Sequence, residues 1–249
     1  MRFFLLFLFI LSLSSCQRKV VNSNSKPISH ETWDALLKKH VDKKGWVNYK
    51  GFLEDRDSLD KYLKTLSDNH PNNSNWSEKE RLAYWINAYN AFTVELILQH
   101  YPLESIKDIK KGIPFLNSVW DKKFFKIEGK DFDLNEIEHT ILRKEFDEPR
   151  IHFAIVCASF SCPDLRPEAY TATKLEEQLE EQAVFFINDS KKNFIRPNGI
   201  QLSKIFSWFK GDFTKKTTLI EYLNQYSLMP IPENAELEYM DYSWKLNGE

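Results

Sequence analysis

Residues 77–100 read SEKERLAYWINAYNAFTVELILQH, and this stretch decides the fold. Ser77 followed by Glu80 is a capping box, in which a hydroxyl and a carboxylate each satisfy one orphan N–H at a helix start. Beyond the cap, apolar residues occupy nearly every face of the helical wheel, as in a helix enclosed by protein. The pattern stops at Tyr101-Pro102, because the residue before a proline avoids helical backbone. The spacing predicts a central buried helix over 78–100.

Working outward, two further capping boxes, Asp133-Leu134-Asn135-Glu136 and Thr173-Lys174-Leu175-Glu176, predict helices reaching about Glu145 and Ile187. An amphipathic helix is expected over Glu31 to His40, with Trp33, Leu36 and Leu37 on one face. Strands are expected between the helices. Lys123 to Ile127 and Lys130 to Asp133 flank the turn Glu128-Gly129, and Phe194 to Arg196 and Ile200 to Leu202 flank Pro197-Asn198-Gly199. The apolar run Ile151 to Cys157 reads as a strand buried on both faces, and Glu236 to Leu246 as a long C-terminal strand. Together these predict an α+β fold, with helices packed on a mostly antiparallel sheet in one compact domain spanning 30–249.

Residues 1–15 read as a lipoprotein signal: Arg2, a short apolar stretch from Phe3 to Leu13, then Ser14-Ser15 ahead of Cys16. The stretch is too short to span a bilayer, which takes about 20 residues. Cleavage before Cys16 would leave its thiol to carry lipid and tether the chain to a membrane, placing it in the cell envelope, facing the periplasm or the exterior. Residues 16–29 are polar, with Asn22-Ser23-Asn24-Ser25-Lys26-Pro27 at their centre, and read as a disordered tether. The formal net charge of −2, with no basic block, gives no electrostatic footprint for nucleic acid. Aromatic residues make up 14% of the chain and glycine only 7 residues, as suits a densely packed body.

Four segments hold residues able to carry chemistry. In the central helix, Asn87 and Asn90 share a face, and a buried amide must find partners. Either amide could tie loop backbone to the core; Asn87 could instead line a pocket as an oxyanion donor. In the second helix Glu138 falls on the arc of Leu134, Ile137, Ile141 and Leu142 and so needs a partner, whereas His139 falls opposite and reads as a surface residue. The third segment, His152-Phe153-Ala154-Ile155-Val156-Cys157-Ala158-Ser159-Phe160-Ser161-Cys162-Pro163, ends an apolar run at a thiol. In a regular strand His152 and Cys157 point to opposite faces, so a dyad requires a bend before Cys157. Cys157 could be a nucleophile, could pair with Cys162 in a disulfide suited to an oxidising compartment, or could form with it an inert buried pair of thiols. Two cysteines and scattered histidines do not give a zinc spacing, and no cofactor is indicated. The fourth segment, Ser203 to Phe213, is a short aromatic helix whose Asp212 either caps the next stretch of chain or orients His152.

These segments together resemble the domain-of-unknown-function 547 family. The resemblance is carried by Arg81 to Asn90, Ile137 to Arg143, Arg150 to Arg166, Leu202 to Phe213 and Tyr242-Ser243-Trp244-Lys245-Leu246-Asn247. The opening Val41-Asp42-Lys43-Lys44-Gly45-Trp46-Val47-Asn48-Tyr49 carries it as well. It implies no catalytic residues. The residues themselves support two functions from different classes. One is a thiol-dependent hydrolase or acyl transferase, loosely like the transglutaminase and papain-like groups, with Cys157 as nucleophile, His152 as base, Asp212 or Glu138 as orienter and Asn87 as oxyanion donor; in those groups the cysteine precedes the histidine, and here the order is reversed. The other is a non-catalytic envelope module that binds a peptide, glycan or protein, with Cys157–Cys162 as a structural clip.

Overall fold

The computed structural model describes residues 23–109, 118–196 and 199–249. The signal segment 1–15, Cys16 and the turn residues Pro197 and Asn198 lie outside them. The elements run α1 (Glu31–His40), α2 (Tyr49–Glu54), α3 (Arg56–Ser67), α4 (Glu78–Leu98), β1 (Phe125–Ile127), β2 (Lys130–Phe132), a π-helix (Glu136–Leu142) continuing into α5 (Arg143–Glu145), α6 (Ile151–Ala154), α7 (Leu175–Asn188), β3 (Phe194–Arg196), β4 (Gly199–Leu202), α8 (Lys204–Trp208), α9 (Lys210–Phe213), α10 (Leu219–Asn224) and β5 (Leu237–Tyr239). The fold is α+β. Its antiparallel pairings, β1–β2 and β3–β4, sit in two small sheets, and β5 adds to β4 in parallel.

The Ser77 capping box forms, and every residue of α4 from Leu82 to Leu98 is buried. The absence of a polar face in the sequence is thus answered by packing on all sides. The β1–β2 hairpin turns through Glu128 and Gly129, with φ of 46° and 76°. That is the left-handed pair a two-residue hairpin requires, and glycine adopts it without steric cost. No helix among the described residues is long and apolar enough to cross a membrane.

The core has two clusters. One surrounds α4; the other gathers Phe153, Phe186, Phe206, Phe213 and Tyr222. The turn α6 joins them, because Ile151 and Ala154 enter the first cluster and Phe153 the second. Phe153 stacks on Phe186 and Phe213 with centroids 5.2 and 5.5 Å apart.

Several expected elements take another form. Ile151 to Cys157 is not a strand: residues 151–154 make a helical turn without a side-chain cap, its Ile151 N–H donated to the Glu148 carbonyl, and the chain then extends. A short apolar run carries no period that separates a buried strand from a buried turn. The Thr173 capping box does not form; Gln178 instead reaches back to the Thr171 N–H and the Ala169 carbonyl, and α7 starts at Leu175 without a side-chain cap. Residues 236–246 are not one strand, since no single neighbour runs beside them. Leu237–Tyr239 pairs with β4, whereas Lys245 and Leu246 form bridges to Ser105 and Ser159. The described part of the expected tether, 23–29, is tied down: Ser25 accepts hydrogen bonds from the Asn72 and Trp76 side chains through its carbonyl, and its hydroxyl donates to the His70 carbonyl.

Candidate functional site

The loop after α6 is pinned by the central helix. Asn90 Nδ2 donates to the Ala154 carbonyl and its Oδ1 accepts the Val156 N–H, both at 2.9 Å. One turn earlier, Asn87 Nδ2 donates to the Tyr170 carbonyl at 2.8 Å and its Oδ1 accepts the Tyr170 N–H at 3.0 Å. Asn87 thus ties loop backbone to the central helix, and it is not among the residues that line the cavity of Cys157. The two amides clamp both flanks of the segment that carries Cys157.

Beyond Val156 the chain turns at Ala158, whose φ of 60° is left-handed. A non-glycine residue held there is sterically costly and marks a backbone constrained by its surroundings. The constraint is the C-terminal segment. Phe160 N donates to the Lys245 carbonyl, Ser161 N to the Ser243 carbonyl and Asn247 N to the Ala158 carbonyl. This pairing brings Tyr242 and Trp244 against the thiol.

Cys157 Sγ lies 2.9 Å from Cys162 Sγ, 3.1 Å from Ser159 Oγ and 3.4 Å from the Tyr242 hydroxyl. The two cysteines are free thiols. Hydrogen bonding with Cys162, Ser159 and Tyr242 outweighs burial and lowers the Cys157 pKa, while burial and the adjacent Cys157 raise that of Cys162. The pair is thus split into one thiol that ionises readily and one that stays protonated.

His152 Nε2 lies 2.8 Å from Asp212 Oδ2, and Arg143 Nε donates to that oxygen at 2.6 Å. Burial acting alone would raise the Asp212 carboxyl; the bonds from His152 and Arg143 reverse this and hold it well below the usual range. Burial lowers the His152 pKa in spite of Asp212, which favours the neutral imidazole. Its ring stacks on Phe209, with centroids 3.9 Å apart, and its Nδ1 has no hydrogen-bond partner among the described residues. With Nε2–H donated to the carboxylate, Nδ1 presents a free lone pair.

His152, Cys157, Cys162, Glu138 and Tyr242 line one cavity of about 170 Å³. The bend that a dyad requires is present, because α6 and the extended residues after it replace a straight strand. No hydrogen bond joins His152 to Cys157. Glu138 accepts the Tyr89 hydroxyl at 3.3 Å, and burial, reinforced by Cys157, pushes its carboxyl up to about 7. His139 is a correction to the wheel: it lines this cavity, half-buried, with its Nδ1 3.0 Å from Arg143 Nη1. Asn135, Glu138 and His139, spaced i, i+3 and i+4, share a face and reach the cavity together. The rim is aromatic: Tyr242 packs between Trp208 and Trp244, with centroids 4.8 and 4.6 Å away.

A family model described as "Protein of unknown function, DUF547" matches residues 73–187. That span holds α4, Glu138, His152, Cys157 and Cys162, and it ends before Asp212 and Tyr242. No curated protein and no solved structure matches the chain.

Sequence reasoning gave no role to Ser159, Arg143 or Tyr242. The segment Tyr242-Ser243-Trp244 carries part of the family resemblance, but a strand reading directs attention away from it. Tyr242 is separated from Ser159 by 83 positions, and only the folded chain puts their hydroxyls 3.0 Å apart.

Proposed function

We propose that the chain is a thiol-dependent hydrolase or acyl transferase acting through Cys157. The observation that carries this reading is the shared cavity: a thiol with a lowered pKa opens onto the same void as a neutral imidazole anchored by a carboxylate. The Cys157 thiolate attacks a carbonyl carbon, the bond to the leaving group breaks, and a thioester forms. His152 Nδ1 takes the thiol proton and returns it to the leaving group; in the second step it takes a proton from water or an acceptor nucleophile, which displaces the sulfur. Asp212 holds the imidazole orientation, as Arg143 holds Asp212. The hydroxyls of Ser159 and Tyr242, beside the sulfur, are the donors available to a developing oxyanion, whereas Asn87 lies outside the cavity lining.

The test is acylation by p-nitrophenyl acetate, followed by peptide mass spectrometry. The expected result is an acetyl group on Cys157, absent from Cys157→Ser and slowed in His152→Ala. Acetylation confined to surface lysines, unchanged in both variants, overturns the reading.

Lipidation of Cys16 would hold this activity at the cell envelope, and the signal-like composition of residues 1–15 supports that placement. Metabolic labelling with an alkyne fatty acid checks it, with loss of label expected in Cys16→Ala. A second reading, a binding module clipped by a Cys157–Cys162 disulfide, is favoured by the 2.9 Å approach of the sulfurs. Intact mass under non-reducing conditions separates the two, because a permanent disulfide leaves no nucleophile.

A further inference from the structure

A second concavity, of about 1140 Å³, opens on the other side of the Cys157–Leu165 loop, between that loop, α7 and the Asp42–Trp46 turn. Its lining holds Trp46, Phe160, Phe185 and Leu228, which are 41%, 40%, 66% and 78% exposed. Large apolar side chains left in water in one groove mark an interaction surface, whereas single scattered ones do not.

The charges of the groove are unbalanced in a specific way. Each carboxylate in the lining is already engaged. Asp42 accepts the Lys44 and Trp46 N–H groups, Asp164 pairs with Lys192, Glu168 pairs with Arg166, and Asp189 accepts the Lys191 N–H. The ammonium groups of Lys43, Lys44 and Lys191, in contrast, are exposed and make no ion pair among the described residues. The surface that would complement this groove is apolar and negatively charged.

We infer that the groove binds an acidic polypeptide segment that inserts large apolar side chains between Asp or Glu residues. A bilayer face is planar and cannot follow a concavity, so the four apolar side chains would not enter it together. Four apolar side chains lining one groove suit the anchors of one peptide, with carboxylates meeting the free lysines. The inference stands apart from catalysis at Cys157, since none of these side chains lines the thiol cavity.

The experiment is panning of a randomised peptide library on the full chain, with affinities of the selected peptides measured by fluorescence polarisation. Selected sequences are expected to combine Asp or Glu with Leu, Phe or Trp. Their affinity should fall roughly tenfold or more in Phe185→Ser/Leu228→Ser and in Lys43→Glu/Lys44→Glu, and should weaken as salt rises. These side chains are exposed, so the variants keep the fold. Cys157→Ser should bind as the native chain does, which separates this result from failure of the thiol chemistry. Failure to select peptides, selection of basic ones, or affinity unchanged in these variants overturns the inference. Sedimentation with phosphatidylglycerol vesicles that depends on the same residues, without peptide binding, also overturns it.

Discussion

The Asn90 carboxamide oxygen accepts the Val156 N–H at 2.9 Å inside the core, one residue ahead of Cys157. The central helix thereby sets the position of the thiol through backbone. Asn90→Ala would strand this N–H and the Ala154 carbonyl together. Each buried orphan costs about 1–3 kcal/mol, so a loss of about 2–6 kcal/mol in urea unfolding is expected. Asn87→Ala should destabilise similarly through Tyr170, yet leave the alkylation rate of folded Cys157 unchanged. A selective loss of Cys157 reactivity in Asn87→Ala would restore Asn87 to the site.

Alkylation of Cys157 by iodoacetamide should rise with pH to a midpoint below the value of about 8.5 for free cysteine. The lowering comes from hydrogen bonds to the sulfur, so Cys162→Ala and Tyr242→Phe should each move the midpoint upward. A midpoint at or above the free value in the native chain would remove the basis for a nucleophilic role.

Glu138 has a pH signature of opposite sign to an ordinary surface carboxylate. Its native pKa, about 7, lies above the unfolded value of about 4.3, so the native state binds more protons between them. Its contribution is fully favourable below the unfolded value and is lost as pH rises through 7. Glu138→Gln should therefore gain stability relative to the native chain on going from acid to alkaline pH, by about 4 kcal/mol at most. Denaturant titrations at the two pH extremes measure this directly; a pH-independent difference would place the carboxylate in water.

Asp212 behaves in the reverse sense. Its native pKa is depressed, so its stabilisation is complete above the unfolded value of about 3.9 and disappears as pH falls through the lower native value. His152 is kept neutral by burial and also opposes folding as pH drops below its free value of about 6.5. The thermal midpoint of the native chain should fall on acidification, and Asp212→Asn should flatten the lower end of that curve. An unchanged slope would mean that the contact with His152 and Arg143 does not persist in solution.

Local rules along the chain reach only part of this fold. Ser77 and Glu80 start α4 because a capping box is a four-residue contact, and the lack of a polar face from Leu82 onward requires enclosure. The Glu128-Gly129 turn is legible for the same reason. Glu138 was readable as a buried carboxylate in need of a partner. The tertiary structure decided the rest. Whether Ile151 to Cys157 would be strand or turn depended on Phe153 finding Phe186 and Phe213, which lie far along the chain. The place of His139 on a cavity wall depended on Trp208, Phe209 and Tyr242, which close the same cavity from far along the chain. The surroundings of the sulfur at position 157 depended on the C-terminal segment crossing back to Ser159, because hydrogen bonds between distant residues leave no periodic trace in the sequence.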